Sequence, residues 1–203
     1  MGNAATFADV RVCILDDNRN FQNLFRTLLR GMGFRRVDLF ADPYEAQVFV
    51  AQTPVDVTFV DLMMPGQNGI DWIRTARRSI GLANPTMPMT LVSGHIDRAV
   101  LAAAIDAGAD DVLVKPLSPA TLLRHTLRLL HRPAPYVRGP GGYFGPDLRR
   151  LRSRLRHDRM PEASDPATGS AETFARRHLR SVPGLNVEIR PRTGYDAEQT
   201  FLV

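Results

Sequence analysis

The sequence predicts an α/β fold in which a five-stranded parallel sheet carries helices on both faces. Two observations predict it. Short apolar runs alternate five times with longer stretches of helical spacing before about residue 132, and four of those runs lead into an acidic, hydroxyl or basic residue. Strands that alternate with helices form parallel sheets with both faces covered, and such sheets bind ligands at the carboxyl ends of their strands.

The predicted strands are short runs rich in valine, isoleucine, leucine and phenylalanine, as expected of strands buried on both faces. They cover residues 10–15, 37–40, 55–60, 89–92 and 112–114. The single cysteine, Cys13, lies in the middle of the first run, where we expect a small core residue rather than a reactive thiol.

The predicted helices have recognisable start and stop residues. Caps and first-turn prolines are expected at Asn18, Asp42-Pro43, Asp97 and Ser118-Pro119. Glycines end two helices, at Gly31 to Gly33 and at Gly108. The 3–4 spacing in the first helix predicts an apolar face made by Phe21, Leu24, Phe25, Leu28 and Leu29. On the last helix we expect His125 and His131 to face solvent.

The character of the chain changes after residue 132. Residues 133–135 and 139–142 are rich in proline and glycine, which is typical of a linker. Residues 148–159 are dense in arginine and residues 160–170 have the composition of a disordered segment. We therefore predict one domain at 8–132 and, at 133–203, a Pro/Arg-rich, partly disordered C-terminal extension with no recognised domain.

Composition excludes several classes of protein. Of the 203 residues, 44% are hydrophobic and 23% charged, which is ordinary for a soluble domain. There is no apolar run long enough to span a membrane and no signal-peptide pattern at the start, so we expect a cytoplasmic protein without membrane insertion. One cysteine allows neither an intrachain disulfide nor a cysteine-based metal site.

The basic residues are unevenly chosen. The net charge is +5, most of it carried after residue 132, and all but one of the 26 basic residues are arginine. The exception is Lys115. A compact ammonium can enter a small pocket that a planar guanidinium cannot, so this lysine is a candidate functional residue.

Polar side chains follow four of the predicted strands. They are Asp16 and Asp17 after the first, Asp61 after the third, Ser93 after the fourth and Lys115 after the fifth. Carboxylates gathered at one sheet edge repel each other unless a cation joins them, and such oxygen ligands suit Mg²⁺. The set fits phosphoryl transfer, which depends on positioning and charge stabilisation, with a carboxylate as nucleophile.

Four segments, in this order and at these separations, resemble the receiver domains of bacterial two-component response regulators over about residues 8–132. They are 15–18 (Leu-Asp-Asp-Asn), 60–69 (Val-Asp-Leu-Met-Met-Pro-Gly-Gln-Asn-Gly), 91–94 (Leu-Val-Ser-Gly) and 108–116 (Gly-Ala-Asp-Asp-Val-Leu-Val-Lys-Pro). The resemblance implies a flavodoxin-like doubly wound sheet and a phosphoprotein that is not a turnover enzyme.

The resemblance also implies roles for individual residues. Asp61 would be the phospho-acceptor, while Ser93 and Lys115 would contact the phosphoryl oxygens. Asp16, Asp17, Asp61 and the backbone carbonyl of Met63 would bind Mg²⁺, and Pro116 would follow a cis peptide bond. The donor would be a histidine kinase or a histidine phosphotransfer protein, and the output would be contact with a downstream protein of unknown identity. A homodimer stays open.

The sequence departs from the family at one position. Receivers carry a tyrosine or phenylalanine three residues before the lysine, and here that residue is Val112. We expect phosphorylation to survive and the usual coupling between hydroxyl and aromatic ring to be absent. Met63 and His95 occupy positions that tune loss of the phosphoryl group in the family, so a bulky Met63 is expected to slow hydrolysis.

Three alternatives stay open. An unphosphorylated receiver-like interaction module is favoured by Val112 and opposed by the intact set of polar residues. A regulator whose basic tail binds nucleic acid is favoured by the arginines of 149–159, but no recognition-helix pattern follows, so we do not expect nucleic acid as a partner. A phosphatase using an aspartyl phosphate would want an acid at position 63, where this chain has methionine.

Overall fold

A computed structural model describes residues 7–79, 81–131 and 133–147 of the chain. Its main body is a five-stranded sheet in the order β2-β1-β3-β4-β5, and every neighbouring pair of these strands is parallel. The strands are β1 (Arg11–Leu15), β2 (Arg36–Phe40), β3 (Val57–Asp61), β4 (Met89–Ser93) and β5 (Asp111–Val114). The predicted doubly wound α/β fold is therefore confirmed.

A helix follows each strand. The helices are α1 (Arg19–Gly31), α2 (Pro43–Gln52), α3 (Gly69–Arg78), α4 (Arg98–Ala107) and α5 (Pro119–His131). The predicted caps are confirmed, because the side chains of Asn18, Asp42 and Asp97 each accept hydrogen bonds from backbone N–H groups in the first turn of their helices. Gly108 ends α4 with φ +93°, a left-handed conformation that favours glycine.

Two apolar layers enclose the sheet. The layer under α2, α3 and α4 contains Trp72, whose ring is buried and whose Nε1–H donates to the carbonyl of Pro43 at 2.8 Å. The layer under α1 and α5 contains Phe25 and Phe59, with ring centroids 4.9 Å apart. Cys13 is fully buried in the first layer, as expected of a core residue.

The face predicted for α1 is wrong at one position. Leu24 is 53% exposed, whereas Gln22, which the apolar pattern passed over, is buried. The Gln22 amide donates to the carbonyls of Asp16 at 2.6 Å and Phe40 at 2.8 Å. This buried position of α1 therefore holds a polar side chain that joins the ends of β1 and β2, and not an apolar one that packs in the core.

Residues 139–142, predicted as part of a linker, instead form the turn of a β-hairpin. Strand β6 (Tyr136–Gly139) pairs antiparallel with β7 (Tyr143–Pro146) across a short 3-10 turn at Pro140–Gly142. Proline and glycine allow the chain to reverse direction in a tight turn, in which Gly141 and Gly142 have positive φ angles. The arginine-dense and disordered segments predicted beyond residue 147 lie outside the described residues.

The hairpin is attached to the domain through a buried ion pair. Arg77 of α3 contacts Asp110 at 2.6 Å, and both side chains are almost fully buried. The Tyr136 hydroxyl donates to Asp110 Oδ1 at 2.7 Å and accepts from Arg77 Nη2 at 3.0 Å. The remaining Arg77 N–H groups donate to backbone carbonyls, including those of Gly108 and Met87. The pair is thus hydrogen-bonded on all sides, which buried charges require.

The last helix carries a second ion cluster. Asp111 contacts both His125 and Arg128. His125 is therefore a partly buried partner of Asp111, and the expectation that it faces solvent is wrong, while His131 is exposed as expected.

Among the described residues, no helix has both the length and the apolar character needed to cross a membrane.

Candidate functional site

The carboxyl ends of four adjacent strands carry the predicted polar residues. Asp16 follows β1, Asp61 ends β3, Ser93 ends β4 and Lys115 follows β5. Backbone hydrogen bonds hold the strand ends together, since the Leu62 N–H, just after β3, donates to the carbonyl of Val92 in β4 at 2.8 Å. The sheet order, in which β1, β3, β4 and β5 are consecutive neighbours, therefore gathers these side chains at one edge.

Lys115 lies at the centre of the site. Its ammonium donates to Asp16 Oδ2 at 2.8 Å and to Asp61 Oδ1 at 2.6 Å. The two carboxylates are nearly buried, with side chains 3% and 8% exposed, while the lysine side chain is 22% exposed. The peptide bond between Lys115 and Pro116 is cis, as the resemblance implied. One cation thus joins two carboxylates that belong to different strands.

Each carboxylate has a backbone partner for its other oxygen. Asp16 Oδ1 accepts from the Asn18 N–H at 2.8 Å, and Asp61 Oδ2 accepts from the Met63 N–H at 2.8 Å. These bonds fix the orientation of both groups. They leave Asp61 on a tight turn at the mouth of the site, beside the exposed side chain of Met63.

Burial and charge act in opposite directions on these groups. Burial raises the pKa of the Asp61 carboxyl above its ordinary value, and the Lys115 ammonium offsets only part of that rise. Burial alone would lower the pKa of Lys115, but its hydrogen bonds and charge contacts with Asp16 and Asp61 outweigh burial and raise the pKa. Lys115 therefore stays charged at neutral pH.

Two predicted residues lie at the same edge, but their side chains make no hydrogen bond to Asp16, Asp61 or Lys115, although the Lys115 N–H donates to the Ser93 carbonyl at 2.7 Å. Asp17 is exposed on the loop after β1. Ser93 is buried, but its hydroxyl donates to the carbonyl of His95 at 2.6 Å, within its own loop. The hydroxyl would have to rotate to reach a group bound at Asp61. The His95 side chain is exposed on the same loop.

The donor set has the chemistry that Mg²⁺ prefers. Asp16 and Asp61 both accept hydrogen bonds from the Lys115 ammonium, and Asp17, the residue after Asp16, adds a third carboxylate that is exposed. Within the residues that the structure describes, no three acidic, histidine or cysteine side chains are close enough to hold a metal by themselves. Mg²⁺ keeps several waters and uses only one or two carboxylates, so this set fits the ion when water or phosphate oxygens complete it.

Sequence reasoning missed two residues of the site. Gln22 joins the backbone carbonyls beneath Asp16, and the ring of Phe21 lies 3.8 Å from Lys115 Nζ. For Gln22 a signal existed, since it stands at helical spacing with the buried Phe25 and Leu29. For Phe21 no signal existed, because an aromatic residue on the first turn of a helix is usually packing.

The fold and this set of side chains define a receiver domain. The family model described as "Response regulator receiver domain" matches residues 12–127, more than half of the chain. The chain therefore belongs to the response regulator receiver family.

Curated relatives include the DNA-binding response regulator MtrA of Mycolicibacterium paratuberculosis, 30% identical over 122 residues, which are 60% of this chain and 52% of the relative. The response regulator MprA of Mycobacterium sp. (strain KMS) is 34% identical over 126 residues, 62% of this chain and 53% of the relative. The chain thus spans about half the length of the curated relatives it matches.

Solved structures give the same fold. The chemotaxis protein CheY4 of Vibrio cholerae matches with a TM-score of 0.56 and 25% identity, covering 60% of this chain and 98% of CheY4. The receiver domain of the sensor histidine kinase PA1611 of Pseudomonas aeruginosa matches with a TM-score of 0.52 and 25% identity, covering 59% of this chain and 96% of that receiver domain. That structure is described with a magnesium ion coordinated in its active-site cleft.

Proposed function

We propose that this chain is a phospho-accepting response regulator, phosphorylated on Asp61 by a histidine kinase or a histidine phosphotransfer protein. The observation that carries the proposal is the bridge made by Lys115 between Asp16 and Asp61, at 2.8 Å and 2.6 Å. A buried carboxylate beside a fixed cation at the carboxyl edge of a parallel sheet supports a role for Asp61 as the nucleophile toward phosphorus.

The reaction needs one covalent exchange. An Asp61 carboxylate oxygen forms a bond to phosphorus as the P–N bond of the donor phosphohistidine breaks, and the departing imidazole takes up a proton to become neutral. Lys115 then turns from Asp61 Oδ1 to the phosphoryl oxygens, whose negative charge it stabilises. Ser93 donates to the same oxygens after leaving the carbonyl of His95. The chain accepts one phosphoryl group per molecule and is not a turnover enzyme.

The proposal includes magnesium as the cofactor. Asp16, Asp17, Asp61 and the Met63 carbonyl would hold the ion, with water and phosphate oxygens completing its shell. When bound, Mg²⁺ supplies charge that the developing phosphoryl transition state needs. The arrangement of Asp16 supports this assignment, because its carboxylate is buried, fixed by the Asn18 N–H and next to Asp61.

Output is proposed to pass through contact with another protein. The surface made by α4, β5 and α5 adjoins both Ser93 and Lys115, which would change partners on phosphorylation. Val112 lies on β5 beside Leu91, two residues before Ser93 along β4, and is partly buried against the core, with no ring to move inward. The change is therefore expected in the loops after β3 and β4.

Intact mass measurement tests the proposal. The full chain is treated with Mg²⁺ and acetyl phosphate, in which the P–O bond breaks and acetate leaves. Wild type should gain the mass of one phosphoryl group and Asp61→Asn should not. Asp71→Asn, which changes an exposed aspartate of α3, should behave like wild type. Folded wild-type protein that gains no mass from acetyl phosphate or a phosphohistidine donor would refute the proposal in favour of an unphosphorylated interaction module.

A second candidate is a phosphorylated regulator that also binds DNA. It is favoured by the name of the MtrA relative and by the arginines between residues 149 and 159. The match with MtrA covers about half of that protein, so its activity belongs to this chain only as a proposal. Binding to unrelated duplexes that weakens steeply with salt would indicate charge attraction alone, whereas preference for one duplex at constant salt would support a DNA-binding regulator.

A further inference from the structure

Lys115 has a third partner that the proposed chemistry does not use. An ammonium carries three N–H donors, and two of them serve Asp16 and Asp61. The ring of Phe21 lies 3.8 Å from Nζ, well inside the distance of about 6 Å at which a cation is attracted to an aromatic face. The only lysine in the chain is therefore held between two carboxylates and one ring.

Phe21 is held through its backbone and through one ring contact with Phe25. Phe21 lies in the first turn of α1, where its N–H donates to Asn18 Oδ1 at 3.2 Å. Its ring packs on Phe25 with centroids 5.6 Å apart, and Phe25 packs on Phe59 of β3 at 4.9 Å. Phe59 stands two residues before Asp61. The ring of Phe21, which contacts Lys115, is thus linked through Phe25 to β3, the strand that carries Asp61.

The two kinds of partner respond differently to the reaction. Asp61 ceases to be a free carboxylate when it is phosphorylated, and Asp16 is the residue proposed to hold Mg²⁺. The ring of Phe21 changes neither charge nor shape in either event. It is the partner of Lys115 that persists while the ammonium moves from Asp61 to the phosphoryl oxygens.

We propose that Phe21 is a positioning residue that holds the Lys115 ammonium over the acceptor during phosphoryl transfer. The proposal rests on the proposed phosphorylation of Asp61. The compact ammonium of Lys115 fits between the ring of Phe21 and the carboxylates of Asp16 and Asp61.

Kinetics test the proposal on the full chain. With Mg²⁺ and acetyl phosphate, Phe21→Leu should slow phosphorylation of Asp61 by about 2-fold to about 30-fold, the range expected for losing one cation–ring contact. Phe21→Tyr, which keeps the ring, should restore most of the rate. The matched control is Phe49→Leu, because Phe49 also lies near a cation, Arg11 at 5.8 Å, but outside the site. Phe49→Leu should phosphorylate like wild type.

Ring fluorination separates positioning from packing. Fluorinated phenylalanines placed at position 21 keep the ring but weaken its attraction for a cation, so the rate should fall stepwise with each added fluorine. The same residues at position 49 should change nothing. A rate that does not change across the fluorinated series at position 21 would overturn the proposal, even if Phe21→Leu fails to fold.

The single lysine also allows a direct readout. Protein labelled with ¹³Cε-lysine gives one signal, that of Lys115, and the ring of Phe21 should shift its ε-protons upfield. The shift should vanish in Phe21→Leu and persist in Phe49→Leu. An unshifted signal in wild type would overturn the contact itself. This readout needs no phosphorylation, so a chain that gains no phosphate but shows the shift would refute the proposed function and not the contact.

Discussion

Removal of one hydroxyl group at the base of the hairpin should destabilise the whole domain. Tyr136 Oη is hydrogen-bonded to Asp110 at 2.7 Å and to Arg77 at 3.0 Å. Tyr136→Phe takes away only that oxygen, so it leaves the ring packing intact. The buried carboxylate and guanidinium each lose a partner that water cannot readily replace. A hydrogen bond to a buried charged group contributes about 1.5–3 kcal/mol, and we expect a loss of that size in the free energy of unfolding.

The assay is urea unfolding of the full chain, followed by circular dichroism. Tyr143→Phe is the matched control, because Tyr143 lies in the same hairpin and its hydroxyl donates to the neutral carbonyl of Pro146 at 2.7 Å. That bond should contribute about 0.5–1.5 kcal/mol. The reasoning is refuted if Tyr136→Phe unfolds at the same urea concentration as wild type, or if it costs no more than Tyr143→Phe.

Three further predictions concern the turn after Asp61 and the core. Gly69→Ala should destabilise the fold by at least about 1–3 kcal/mol, since the added Cβ would lie 2.1 Å from the carbonyl oxygen of Asp61. Urea unfolding checks this, with Gly94→Ala as the control because nothing lies within 4 Å of its added carbon. Equal unfolding midpoints for the two variants would contradict the prediction. Met63→Ala should leave the urea midpoint unchanged, because the side chain is 74% exposed, and should shorten the half-life of the phosphorylated protein followed by intact mass; an unchanged or longer half-life would show that Met63 does not shield the acyl phosphate. Burial raises the pKa of the Cys13 thiol above its ordinary 9.0, so the folded state holds a proton that the unfolded state releases. The stability measured by urea unfolding should therefore fall as the pH rises above about 9. Iodoacetamide should label Cys13 only after unfolding, and rapid labelling of the native protein would mean that the thiol is accessible.

Much of the fold could be predicted because its signals are local. Apolar runs, caps at Asn18, Asp42 and Asp97, and the stop at Gly108 each depend on a few adjacent residues. The site could be predicted for a related reason. In a parallel sheet the residue after each strand lies at the same edge, so Asp16, Asp61 and Lys115 come together once the topology is known.

The hairpin could not be predicted because its anchor is not local. Arginine and aspartate usually lie on the surface, and only the tertiary fold buries Arg77 and Asp110 together beside Tyr136. Orientation was equally out of reach. The sequence places Ser93 at the end of β4, but the bond from its hydroxyl to the His95 carbonyl depends on the path of the loop. For Gln22 the helical spacing with Phe25 and Leu29 indicates burial, but the two carbonyls to which its amide donates depend on the tertiary fold.

The hairpin also decides where the described part of the chain leaves the domain. The Asp147 N–H donates to the carbonyl of Pro135 at 2.9 Å, so residue 147 lies beside Tyr136. Tyr136 in turn lies against Asp110, at the amino end of β5. Asp61, the proposed acceptor, stands at the opposite, carboxyl end of the sheet, a strand length of about 13–17 Å away at about 3.3 Å per residue. Residue 147 therefore lies at the end of the sheet opposite Asp61, so a structural change at Asp61 would have to cross the length of the sheet to affect it.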